Sequence, residues 1–449
     1  MATYLSRSFT ADNTSRSIFT VSAWIKRSVL SSAQTAISAS TTSNFNDKII
    51  GFRSDNTLEV NNVASGSAAI EVITNRVFRD TNAWYHIVVA IDTTQSAIAD
   101  GVKLYVNGVR DTDFSGSPTY TQSATFEIGR NGSATAIGRY ESGSSQYFGG
   151  YLADVHYIDG QQKLPTDFGE TDSTTGIWKP KTYAGTYGNN GFLLEFKNSG
   201  ALGTDTSGNS ETFTVNGAGT NAQVTDTPSN NFVTMNPLAN RFPSSTFTKG
   251  NLSVAMGSSQ ATFNVGTFGV TKGKWYFEMK PTALGSGTDN CLIGAVSRPD
   301  STGTSDHLGE STSVVYRNNG TVKYNGTNYA SQGPSFTTSD IIGVALDMDN
   351  NRITFSKNGQ WIDGSGNADE ANPTSFYTFP TTMQNDGIAF PAMGDLSTNN
   401  PSVTEELNFG NPTFTISSGN ADAAGYGNFE YAVPSGYYAI CTRNLNTYG

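Results

Sequence analysis

Cysteine is nearly missing from this chain. Cys291 and Cys441 are the only two in 449 residues, which excludes a disulfide framework and any zinc site built on cysteine. Both lie in strand-like runs and read as small buried hydrophobes, with a single bridge between them left open. Histidine is scarce too: His86, His156 and His307 have no ligand spacing, so no metal and no cofactor is expected. Positive charge is outnumbered, 27 Lys and Arg against 38 Asp and Glu for a net −11. With no basic cluster anywhere, nucleic acid is excluded as a partner. The longest apolar runs are about five residues, far short of a membrane-spanning helix, so no membrane insertion is expected. The N-terminus MATYLSRSFT lacks the apolar core of a secretory signal, which implies synthesis in a cytoplasm without export by that route.

What is there is turn and strand. Glycine reaches 47 residues, and with only 14% charged residues the surface must be covered mainly by Ser, Thr, Asn and Gly. Alternation dominates: in FTVSAWIKR, Phe19, Val21, Ala23 and Ile25 fall on one face and Thr20, Ser22, Trp24 and Lys26 on the other. WYHIVVAI is apolar on both faces, as a covered central strand is. ATFEIGR, GGYLADVHYI and GFLLEFK continue the strand pattern, and NLSVAMG, CLIGAV, GIAFPAMG, EELNFG and GYYAICTRN carry it into the second half. One phrase occurs twice: an apolar run ending in aspartate, a second strand, then Asn-Gly, as WYHIVVAID…VKLYVNG and as DIIGVALDMDNNRITFSKNG. Asn-Gly is the strongest short hairpin signal, because both central residues of a type I′ turn need positive φ. The reading is all-β: two antiparallel β-sandwich (jelly-roll) domains over 1–198 and 244–449, joined by an ordered Gly/Ser/Thr/Asn-rich connector at 199–243.

FTVSAWIKR, WYHIVVAID, VKLYVNGV and FGGYLADVHYIDG resemble, in order and spacing, a laminin-G-like, concanavalin A-like jelly roll. GKWYFEMK, LIGAV, DIIGVALDMDNNRITFSKNGQWI and FPAMG resemble the SPRY family, another two-sheet sandwich. The combination, with DTPSNNFVTMNPL between and GYGNFEYAVPSGYYAICTRN at the end, is similar to structural proteins of tailed phages, marine ones especially. The competing reading is a two-domain bacterial lectin-like protein. The phage resemblance implies a virion location, other virion proteins as partners, and a homo-oligomer.

Jelly rolls can be glycosidases, and the laminarinase type sets Glu, Asp and Glu on alternate positions of one strand, two carboxyls about 5 Å apart. No such run exists here, no Gly-x-Ser-x-Gly elbow opens a helix, and no catalytic residue is named. Asp92 and Asp347 follow the apolar strands; calcium is conceivable at Asp92, but acceptance of hydrogen bonds from their own turns is the preferred role for both. Trp84, Trp275 and Phe277 read as core, and Trp24 and Trp361 as either core or surface. Tyr140 and Tyr147 in GRYESGSSQYFGG, and Tyr316, Asn318, Tyr324, Asn325, Asn328 and Tyr329 in VVYRNNGTVKYNGTNYASQG, combine amphipathic rings with paired donors and acceptors. They are the candidate ligand-binding residues, suited to sugar rings or a protein partner, with strand-edge capping as the structural alternative. SPRY relatives bind through loops at one end of the sandwich, which implies a contribution from 316–333. The expectation is a non-enzymatic virion protein: a tail fibre or adhesin component recognising host surface glycan, or else a decoration or bracing protein of capsid or tail. A glycan-depolymerising tail enzyme is the less favoured alternative.

Overall fold

The computed structural model describes residues 3–217, 222–239, 245–256, 262–285, 291–299, 308–370, 372–395 and 402–449; His307 lies outside them. The chain divides into two compact units, Met1–Gln223 with Thr227–Ser229, and Val224–Asp226 with Asn230–Gly449. The segment 199–243 is shared between them. Thr214–Asn216 adds an edge strand beside Tyr4–Ser8 in the first unit, and Val233 and Met235 enter the core of the second.

The first unit packs two sheets. One is eight-stranded, in the order Thr119–Tyr120, Ser67–Val77, Thr57–Ala64, Phe45–Phe52, Gln34–Thr42, Ala134–Ile137, Tyr4–Ser8, Thr214–Asn216; the other is six-stranded, Phe192–Leu194, Gly150–Asp159, Ile18–Arg27, Trp84–Asp92, Val102–Val106, Val109–Asp111. Phe19, Val21, Ala23 and Ile25 meet Leu58, Val60, Ile70 and Val72 in the core between them. ATFEIGR is not a strand. Phe126 and Ile128 still fill the core, but the carboxylate of buried Asp47 accepts the Glu127 and Ile128 N–H groups at 2.6 and 3.0 Å in place of a neighbouring strand. The second unit repeats the plan with ten- and six-stranded sheets. GYYAICTRN forms only the short strand Tyr438–Ala439 before the helix Thr442–Tyr448.

The repeated phrase does the same work in both units. Asn107 (φ 49°) and Gly108 (φ 80°) turn one hairpin, Asn358 (φ 50°) and Gly359 (φ 81°) the other. Asn107 donates its backbone N–H to the His86 carbonyl at 2.9 Å and accepts the His86 N–H on Oδ1 at 2.8 Å. Asn358 makes the same two bonds with Ile341, at 2.8 and 2.9 Å. The asparagine thus stands in for a missing strand residue and fixes the register of the adjoining strand. A Cβ on Gly108 would meet the Trp178 ring at 2.8 Å, and one on Gly359 the Tyr431 ring at 2.5 Å, so no other residue fits beneath these aromatics.

Trp178, on the short strand Trp178–Pro180 paired with Gly169–Thr171, and Tyr431, in irregular chain, belong to straps that cover the outer faces of the sheets. In the first unit Phe168 and Tyr183 pack on Val88, Tyr105 and Ile158, while Trp178 Nε1 donates to His86 Nδ1 at 3.0 Å. His86 is sandwiched by Trp24, centroids 4.7 Å apart, and bonds Ser22 Oγ at 2.8 Å; His156 stacks on Tyr187 and meets its hydroxyl at 3.1 Å. Burial pushes both imidazoles down to about 3, and they stay neutral. In the second unit Phe429 and Tyr437 cover Tyr276 and Trp361, and buried Glu278 accepts the Glu430 and Tyr431 N–H groups at 3.0 and 2.9 Å. Trp275 and Phe277 are core, as expected; Trp24 and Trp361 are buried under the straps, and Trp84 is half-buried.

Candidate functional site

The outward face of the eight-stranded sheet is polar by simple alternation. Leu58 and Val60 point into the core, so Glu59 and Asn61 point out. Register places Lys48 opposite Asn61 on one side and Glu71 opposite it on the other. Outward-facing strand residues are ordinarily wet, yet Glu59 and Asn61 are only 8% and 9% exposed, so they form the floor of a trough. One wall is the turn after Ala134–Ile137. Ser38 Oγ donates to the Arg139 carbonyl at 2.8 Å and accepts the Glu141 N–H at 2.9 Å, which pins that loop across the sheet. Tyr140 then reaches inward. Its hydroxyl donates to Asn46 Oδ1, its ring centre lies 5.0 Å from Lys48 Nζ, and burial pushes its phenol up, keeping it a proton donor.

Lys48 is matched by Glu59 at 3.2 Å and Arg139 by Glu141 at 2.7 Å. Among the described residues, no side chain bonds the Asn61 amide or the Glu71 carboxylate. The Asn61 side chain is recessed, but its amide atoms are not among the buried unpartnered ones, so water or a ligand can reach and satisfy them. Glu59, Asn61 and Glu71 are not among the candidate residues that the sequence pattern singles out. The signal was the alternation in TLEVNNVA, whose polar phase reads as ordinary solvent face. Tyr147, 39% exposed, sits on the same loop as Tyr140 but packs on Tyr4 at 6.0 Å, with the Arg139 guanidinium 3.8 Å from the centre of the Tyr4 ring.

In the second unit the named residues separate. Tyr324 and Tyr329 are brought together, stacked at 4.4 Å and 11° on the last two strands of the six-stranded sheet, with Asn325 (φ 52°) turning the hairpin between them. Asn328 faces the other way and accepts from Arg317 Nη1 at 2.9 Å. Tyr316 is no surface residue: it is fully buried, stacked on Phe355, and donates its hydroxyl to the Pro334 carbonyl. The strand Ser313–Arg317 runs up to the polar RNNG turn and aims Tyr316 into the core. Asn318 is structural as well, its Oδ1 accepting the Cys291 N–H at 3.1 Å. Asp92 is occupied by its own turn, accepting from Thr94 N, Thr94 Oγ1 and Gln95 Nε2, and Asp347 by Asn350 and Arg352.

Residues 3–161 match the model of the concanavalin A-like lectin/glucanases superfamily, and residues 274–394 that of the SPRY domain. The chain carries one domain of each kind. Among solved structures, the SPRY domain of human HERC1 is similar at 20% identity and a TM-score of 0.29, over 38% of this chain and 96% of that one. A heptameric SAP-like pentraxin from Limulus polyphemus is similar at 17% and 0.28, over 36% and 72%. The PSpry domain of TRIM65 is similar at 13% and 0.28, over 39% and 89%. No curated protein matches. The concanavalin A-like match spans every trough residue, and the SPRY match spans Tyr324 and Tyr329 but ends before the strap that carries Tyr431. Lectin-like and SPRY domains point to binding or adhesion, and such modules are typically non-enzymatic.

Proposed function

We propose that this chain is a non-enzymatic virion protein, a tail fibre or adhesin component that recognises host surface glycan through the trough of its concanavalin A-like domain. The observation that carries this reading is Asn61, whose recessed amide offers a donor and an acceptor with no partner among the described residues, beside the carboxylate of Glu71, likewise unpartnered among them, and the ring of Tyr140. Sugar hydroxyls, each donor and acceptor at once, match such a floor. Glycoside cleavage needs one carboxyl to donate a proton beside a second carboxylate. Glu59 is already matched by Lys48 at 3.2 Å, which favours holding over cutting.

The phage likeness of the domain combination supports the virion part, and the symmetry of virions supports a homo-oligomer among other virion proteins. A second reading, decoration or bracing of capsid or tail, is favoured by the strand Thr327–Tyr329, exposed along its whole length at a sheet edge, where a partner protein can add a strand. Two measurements test the proposal. Glycan binding by the purified protein should fall at least roughly tenfold in Asn61→Ala, the loss of one or two hydrogen bonds; undiminished binding would refute the trough. Mass spectrometry and antibody labelling of particles should place the chain at the tail. Label over the head would favour decoration, and absence from particles would refute the virion reading.

A further inference from the structure

We infer that the trough selects glycans bearing free amino groups over glycans bearing carboxylates, with Glu71 as the selecting residue; this rests on the glycan reading above. Lys48 borders the trough and is held by Glu59 at 3.2 Å, while Arg139 turns its guanidinium away onto the Tyr4 ring and is held by Glu141 at 2.7 Å. Neither is left to receive an anionic sugar. Tyr140 reinforces this, since its ring lies against the Lys48 ammonium and takes up part of its remaining field. Glu71 is the other carboxylate of the floor and has no matching cation among the described residues. It stands directly across the strand pair from Asn61, so a sugar hydrogen-bonded to the Asn61 amide brings its neighbouring substituents to Glu71.

Among the described residues, one cation, Lys48, against two carboxylates, Glu59 and Glu71, leaves the site net negative, and the chain as a whole carries −11. A uronic acid or sialic acid placed there would face an unpaired like charge and leave its own carboxylate without a donor, a penalty that specificity commonly uses. A hexosamine with its amine free would supply the missing cation. Glu71 is half-buried, where an ion pair is screened less than on open surface but remains modest.

The test measures binding of three oligosaccharide probes to the full chain at mildly acidic pH, where amines are protonated: glucosamine oligomers, their N-acetylated counterparts and galacturonic acid oligomers. The glucosamine oligomers should bind roughly fivefold tighter than the acetylated ones, about one ion pair's worth, with the margin shrinking in high salt, and the galacturonate oligomers should not bind. Glu71→Gln, an isosteric change on an outward face, should abolish the margin between the free and the acetylated oligomers. Tight galacturonate binding would overturn the inference, as would a margin that survives Glu71→Gln. Asn61-dependent binding of acetylated oligomers with no preference for the free amine would sink the charge argument alone and leave the glycan reading standing. Failure of all three probes to bind would count against both.

Discussion

Acid should loosen the first unit through its two buried histidines. His86 accepts a hydrogen bond from Trp178 Nε1 on Nδ1 and is enclosed by Trp24 and Trp178, and His156 is enclosed by Phe168, Tyr183 and Tyr187. Burial holds both near 3, whereas an unfolded chain titrates them near 6.5. Their contribution is therefore complete above about pH 6.5 and is lost as pH falls toward 3, because the unfolded chain takes up protons that the fold refuses. Between pH 7 and pH 5 the loss is about 2 kcal/mol for each histidine, about 4 together. Asp47 works in the opposite direction. Burial raises its carboxyl to about 7, so its contribution is present at low pH and fades as pH rises through 7; over the same interval acid returns about 2 kcal/mol. From these three groups the net loss at pH 5 is about 2 kcal/mol, near a thirtyfold fall in amide protection, and Asp154, whose carboxyl burial also raises, trims it further. Hydrogen exchange of peptides from Trp84–Asp92, corrected for intrinsic rates, reads this directly. Replacing His156 with phenylalanine should remove about half of the histidine contribution to the slope. Unchanged or rising protection at pH 5, or a slope indifferent to that substitution, would refute the burial argument.

Three further outcomes follow from the same contacts. Asn107→Ala and Asn358→Ala each remove a side-chain bond to a strand N–H and place alanine at positive φ, so each should lower stability by about 1–3 kcal/mol in urea titrations. Glu278→Gln sets an amide against four donors, Tyr276 OH, Asn408 Nδ2 and two backbone N–H groups. It should cost about 2–4 kcal/mol and expose the strap around Tyr431 to protease. Tyr316→Ala should cost about 3–5 kcal/mol, as core aromatics do, while Tyr329→Ala on the exposed edge should stay within about 1 kcal/mol; equal effects would contradict their placement.

Much of the sandwich plan is legible in the chain because each strand advertises its own period. FTVSAWIKR and WYHIVVAI show which faces are covered, and the two Asn-Gly turns mark their hairpins without help from elsewhere. ATFEIGR misleads for a reason local pattern cannot carry: its alternation is real, but the group that satisfies its backbone, Asp47, lies 80 residues away in sequence. Tyr316 misleads in the opposite sense, since its polar neighbours describe the turn that follows and not the direction of its own side chain. The trough was hidden because polar alternation looks the same on a flat wet face and on a recessed one. Recession at Glu59 and Asn61 depends on the loop after Ile137, whose path is set by Ser38 and Asn46. Sequence reading caught Tyr140 on that loop but had no means of seeing what it leans over.

The paired asparagines also govern how the protein ages. An asparagine followed by glycine is the dipeptide most prone to lose ammonia, because the next backbone nitrogen can attack the side-chain carbonyl carbon and close a succinimide. At Asn107 and Asn358 that carbonyl is tethered to the N–H of a neighbouring strand, and at Asn358 the amide nitrogen is also bonded to Asp340 at 2.7 Å. Ring closure there requires the hairpin to open first. Asn325 has the same glycine after it, is exposed, and has no side-chain bond among the described residues. Stored protein should therefore acquire a new negative charge at the tip of the Tyr324–Tyr329 hairpin sooner than at the two turns that set the sheet registers.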